Sequence, residues 1–126
     1  MSGYSDVQAV TITADTVALD ADGISVAASV GNNAALVIGG ALASGGAVSL
    51  SHGRIVTILS AGNDAAKSFT VTGTDVNGDA QTESITGANA GTATGTKFFK
   101  TISGISAVGN PAGNVSAGVN ASAADV

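Results

Sequence analysis

Asp75, Asn77 and Asp79 set three oxygen-bearing side chains two residues apart in Asp75-Val76-Asn77-Gly78-Asp79. The first half of a calcium loop collects its ligands with that spacing. A complete loop closes on a bidentate acid at its twelfth position, which here is Thr86. Carboxylate number sets much of a calcium site's affinity, so the three are weak candidate metal ligands, and the plainer reading of the same residues is a hairpin turn. His52 is the only histidine, next to Ser51. Adjacent residues do not readily make a nucleophile–base contact, and no G-x-S-x-G elbow surrounds either, so His52 reads as a solvated turn residue. Zinc would need further nitrogen or sulfur ligands, and the chain has no cysteine. Gly91-Thr92-Ala93-Thr94-Gly95-Thr96-Lys97 approaches a phosphate loop, but that loop needs glycine directly before the lysine and a hydroxyl after it, where Thr96 and Phe98 stand. Glu83 is the sole glutamate and would have to recruit a loop aspartate to form a glycosidase pair. These residues give no catalytic set and no cofactor site, and the expectation is a protein without enzymatic activity.

The element that would position most of these groups is the stretch 68–87, SFTVTGTDVNGDAQTESITG. Phe69 and Val71 alternate with Ser68, Thr70 and Thr72, the period of two that gives a strand one apolar and one polar face. Asn77-Gly78 tolerates the positive φ of a tight turn, so the chain reverses there. A two-residue turn sets Phe69 opposite Thr86. A three-residue turn, Val76-Asn77-Gly78 with a glycine bulge, sets it opposite Ile85, and matched apolar partners favour the latter.

The rest of the chain carries the same period. Strands are expected in one or two pieces over 7–19, then at 24–30, 34–38, 47–50, 54–59, 97–102, 105–108 and 115–119, with turns at 20–23, 31–33, 51–53 and 109–113. Residues 39–46, GGALASGG, form a loop centred on Leu42, and residues 88–96 a flexible small-residue stretch. No segment sustains a capped helical pattern. The expected fold is all-β, a compact β-sandwich or barrel of about eight to ten short antiparallel strands. An N-terminal arm (1–10) precedes a single domain (11–119), and a small-residue tail (120–126) follows. Phe98 and Phe99 point to opposite faces of their strand, with Phe99 assigned to the outward side.

Composition bounds the partners. The 126 residues carry nine acids and four bases, a net charge of −5. Such a surface repels phosphate backbones, which excludes nucleic acid as a direct ligand. The segment 23–53 is free of formal charge, but glycine pairs, asparagines and serines break it up, and it lacks the bulk of a membrane span. The start, MSGYSDVQAV, has no basic region followed by an apolar one, so synthesis in a cytoplasm is expected. Alanine supplies 24 residues, and the aromatics are one tyrosine and three phenylalanines. Burial per residue is therefore expected to be small, in an alanine-heavy core that leans on neighbours.

Five pieces in order, residues 40–46 (GALASGG), 54–56 (RIV), 60–64 (SAGND), 69–75 (FTVTGTD) and 98–101 (FFKT), resemble a group of small structural proteins of tailed bacteriophages. The similarity runs over residues 39–118. It implies a virion component, a capsid decoration or cement protein that binds the major capsid protein on the outside of the shell. Self-association is expected with it, as trimers at three-fold points. Tail, neck and head-fibre components, and a host-surface or carbohydrate-binding module, are the alternatives. The group acts through surfaces, so no functional residues carry over. The candidate interface residues are Tyr4 and Val7 in the arm, Leu42 in its loop, and Phe99.

Overall fold

A computed structural model describes residues 20–123 of the chain. Among these there is no helix, and therefore none long and apolar enough to cross a membrane. The strands are β1 (Asp20–Ser29), β2 (Ala43–Ser44), β3 (Ala47–Ser60), β4 (Ser68–Thr74), β5 (Ala80–Thr86), β6 (Thr92–Val108) and β7 (Asn114–Ala123). All pair antiparallel in one sheet of order β1-β7-β3-β6-β4-β5, with β2 attached to β3. The sheet is not closed, and it wraps a single hydrophobic core.

The long strand β6 makes this possible. Its residues 92–102 pair with β3 and its residues 101–108 pair with β4, so one strand serves both halves of the sheet. The pairing with β4 slips between Thr72 and Gly73. A side chain at Gly73 would collide with the Thr101 carbonyl, so glycine is what lets the two backbones close at the corner. Across the same corner the hydroxyls of Thr74 and Thr101 are 2.7 Å apart and hydrogen-bonded. Beyond Ile102, the edge of β6 that β3 has left is taken up by residues 34–36. The Leu36 N–H donates to the Ile105 carbonyl and the Ala107 N–H to the Ala34 carbonyl, at 2.9 and 2.8 Å.

Period-two alternation decides what is buried on β4 and β5, whereas residues 56–58 of β3 and 115–119 of β7 are buried without a break. On β7 and β3, Val115, Ala117 and Val119 lie beside Ser60, Ile58 and Val56, all facing inward. Phe69 and Val71 of β4, Ile85 of β5, and Phe99, Ile102 and Ile105 of β6 complete the core. The alanine-heavy core expected from composition is not what forms. Among the described residues, only Ala107 and Ala117 are alanines in the 17 buried hydrophobic residues, because mainly β-branched and aromatic residues hold the inward positions.

The expected all-β class is observed, and several boundaries move. Residues 51–53 are not a turn, since β3 runs through them. Four residues of β3, 50–53, stand opposite the single residue Lys100, an excursion in one strand in place of a break between two. Residues 97–102 and 105–108 are likewise one strand, which begins at Thr92 inside the stretch expected to be flexible. Residues 34–38 make only the bridge Ala35↔Ser106, and residues 20–23 belong to β1. These mergers reduce the expected eight to ten strands to seven among the described residues. The strand β7 continues to Ala123, into the expected tail. The strands expected over 7–19 lie outside the described residues.

Candidate functional site

The hairpin takes the three-residue form. Phe69 faces Ile85, and Thr74 faces Ala80. The Gly78 N–H donates to the Asp75 carbonyl at 3.1 Å, and the Asp75 N–H to the Asp79 carbonyl at 2.9 Å. Gly78 has φ of +88°, whereas Asn77 keeps a negative φ, so the glycine alone carries the left-handed position of the bulge. Asp75 Oδ1 accepts the N–H groups of Asn77 (2.8 Å) and Asp79 (3.0 Å). The Asp75 carboxylate thereby serves the turn itself, as an aspartate at the first position of a turn commonly does. Asp75, Asn77 and Asp79 are close in the chain, and the bonds that explain their presence are those of the hairpin.

Glu83 is put to structural use as well. Between Phe98 and Thr94, three residues of β6 stand opposite Val56 alone, which frees backbone donors from the ladder. The Glu83 carboxylate, almost wholly buried, takes them. Oε2 accepts the Thr96 N–H at 2.6 Å and its hydroxyl at 3.0 Å, and Oε1 accepts the Lys97 N–H at 3.3 Å. Lys97 Nζ returns across the strands to the Thr82 carbonyl at 2.9 Å, and Gln81 Nε2 donates to the Phe98 carbonyl at 2.6 Å. The residues that suggested a phosphate loop therefore form a bulged strand fastened by a carboxylate, a poor host for an anion.

Sequence reasoning passed over Asp64, the one fully buried acid among the described residues. Its Oδ1 accepts the Ala112 N–H at 2.7 Å, its N–H donates to the Ala88 carbonyl and its carbonyl accepts from Lys67, both at 2.9 Å. One residue thus joins three loops at one end of the sheet: 61–67, 87–91 and 109–113. Its Oδ2 and the Ser60 hydroxyl are buried with no hydrogen-bond partner among the described residues. Only tertiary pairing brings these loops together, so the sequence held no signal for Asp64 beyond its turn-like neighbours.

Arg54, on β3, is half-buried, and its Nη2 donates to the Asn120 carbonyl at 3.4 Å. Burial pulls the guanidinium below its ordinary pKa, and the Asp20 carboxylate opposes that pull. His52 is half-buried within β3, not in a turn. Among the described residues, no group of three or more histidines, cysteines or acids is placed to hold a metal ion. No protein family, curated protein or solved structure matches this chain.

Of the candidate interface residues, Phe99 is corrected. It is fully buried in the core, opposite Arg54, and the half-exposed ring is Phe98. The two do alternate across the strand, with the faces exchanged relative to expectation. Leu42 is half-buried and packs against the core, so it mainly caps its own sheet. Tyr4 and Val7 lie outside the described residues.

Proposed function

We propose that the chain is a non-enzymatic structural protein of a tailed bacteriophage virion, a capsid decoration protein that binds the outside of the major capsid shell and associates with itself. The observation that favours a surface-acting protein is the use made of its acids. Asp75 holds a turn, Glu83 a bulge and Asp64 three loops, each through bonds to its own backbone. A catalytic carboxylate must keep an oxygen aimed at a substrate, whereas both Glu83 oxygens are engaged in the scaffold and Asp64 is sealed from solvent. The resemblance to phage structural proteins supplies the kind of surface, and the acidic balance suits the exterior of a shell more than contact with packaged DNA.

Electron microscopy of the particle is the test. Density for this chain on the outer capsid is the expected result. Density in the tail, neck or a head fibre, or absence from particles, overturns the capsid assignment. A glycan-binding screen is expected to be empty, since sugar sites present aromatic platforms and Phe98 is the one half-exposed ring among the described residues.

A further inference from the structure

Of the eight asparagines in the chain, Asn77 alone is followed by glycine. Asparagine is a thermolabile residue, and its side-chain amide is lost when the backbone nitrogen of the next residue attacks Cγ. A side chain on that next residue shields the nitrogen, and glycine has none. The structure adds access. Residues 77–80, at the tip of the β4–β5 hairpin, are all exposed, and a Cβ built on Gly78 would meet nothing within 4 Å, so there is room for a ring to close. The structure also adds a restraint. The attacking nitrogen must give up its proton and swing toward the Asn77 side chain, yet the Gly78 N–H is donated to the Asp75 carbonyl at 3.1 Å. Asp75 Oδ1 accepts the N–H groups of Asn77 at 2.8 Å and Asp79 at 3.0 Å, so the same residue pins the backbone on both sides of the reacting pair.

We propose that Asn77 is a site of spontaneous deamidation in the folded chain and that Asp75, through the turn it holds, sets the rate. In the first step the Gly78 nitrogen loses its proton to solvent base and forms a bond to Asn77 Cγ. The Cγ–Nδ2 bond breaks, the side-chain nitrogen leaves as ammonia, and a succinimide joins the two residues. In the second step water adds to one of the two imide carbonyls and opens the ring. Opening at Cγ gives aspartate with the backbone unchanged. Opening at the backbone carbonyl gives isoaspartate, in which the chain runs through the side-chain methylene. No electrons are exchanged, and water is the only co-reactant. Both products place a carboxylate between Asp75 and Asp79 and take the net charge of −5 one unit lower. Isoaspartate also lengthens the backbone inside the turn that sets Phe69 opposite Ile85. The hairpin tip thus changes in shape as well as in charge, and it does so independently of what the chain binds.

The purified full chain, held at mildly alkaline pH and sampled over weeks, tests this. An acidic species is expected on isoelectric focusing. Tandem mass spectrometry of the tryptic peptide 68–97 is expected to place the change at Asn77 and not at Asn89 of the same peptide. The rate should rise with pH, because the deprotonated amide is the attacking species. Asn77→Asp carries the new charge from the start and should gain no further acidic species. Asp75→Ala removes both side-chain hydrogen bonds and is expected to speed conversion about fivefold, the factor that corresponds to about 1 kcal/mol of net hydrogen bonding, with the rate of the chain unfolded in guanidinium as the ceiling. Asp75→Asn loses the same charge but keeps an acceptor oxygen, so it should stay close to the parent rate, which separates the hydrogen bonds from the field of the carboxylate. Three results overturn the proposal: no conversion at Asn77 in the folded chain while the unfolded chain converts, conversion at another asparagine ahead of Asn77, or an Asp75→Ala rate equal to that of the parent or of Asp75→Asn.

Discussion

Glu83 shows how far a residue's type is from its use. In the sequence it is the sole glutamate and invites a reading as half of a catalytic pair. In the fold it accepts three hydrogen bonds from Thr96 and Lys97, donors set free because β6 bulges opposite Val56. That register arises from pairing residues about 40 positions apart, and no local pattern announces it. Replacing the carboxylate by a methyl takes the acceptor from the N–H groups of Thr96 and Lys97, and hydrogen bonds to a charged group are each worth about 1.5 to 3 kcal/mol. Glu83→Ala is therefore expected to destabilise by about 2 to 4 kcal/mol in urea unfolding, with Glu83→Gln milder because one acceptor remains. A loss under about 1 kcal/mol for the alanine variant would show that the bulge is held by something else. Phe69 was legible, since alternation placed it inward, and it is fully buried. Phe69→Ala should cost about 3 to 5 kcal/mol, read as a shift in the unfolding midpoint.

At the scale of elements, the hairpin of β4 and β5 was readable down to its register because its information is local: a period of two, a turn sequence, and two apolar residues that want to face each other. Only the share borne by Asn77 was misjudged, since its φ is not positive and Gly78 takes the left-handed position alone. The two residues therefore separate in a mutational test. Gly78→Ala forces a Cβ into the left-handed region and is expected to cost about 1 to 2 kcal/mol, while Asn77→Ala should lie within about 0.5 kcal/mol of the parent. Equal losses at both positions would mean that a two-residue turn with two positive φ values forms in solution. The elements that were misjudged, the excursion at 50–53 and the start of β6 at Thr92, have the opposite character. Ser51-His52-Gly53 and the small residues 88–96 read as breaks, yet the first is carried as an excursion between the paired residues Ser49 and Arg54, and residues 92–94 of the second pair with residues 57–59 of β3, which overrides the weak local preference. Phe98 and Phe99 belong with them. Alternation fixes that one is in and one is out, and the corner of β6, which the sequence does not show, decides which.

For the whole molecule, composition pointed to a thin core, and the fold answers by sorting. Alanines occupy exposed or edge positions such as Ala27, Ala28 and Ala80, while valine, isoleucine, leucine and phenylalanine fill the inside. Among the described residues, the core runs from Ile24 to Val119. The expected arm, residues 1–10, lies outside the described residues, and deleting it tests whether folding and attachment are separate. A segment that becomes ordered on binding can wrap a surface that a compact domain cannot reach. Tyr4 gives the arm an anchor of the kind enriched at interfaces. Deleting residues 2–10 is expected to leave the thermal unfolding midpoint within a few degrees of the parent and to abolish binding to shells stripped of this protein, measured as band intensity on purified particles. Full occupancy of shells by the truncated chain would exclude the arm as the anchor and shift attention to the half-exposed face around Phe98. Loss of folding on truncation would instead mean that the sheet uses part of residues 2–10 as one of its own strands.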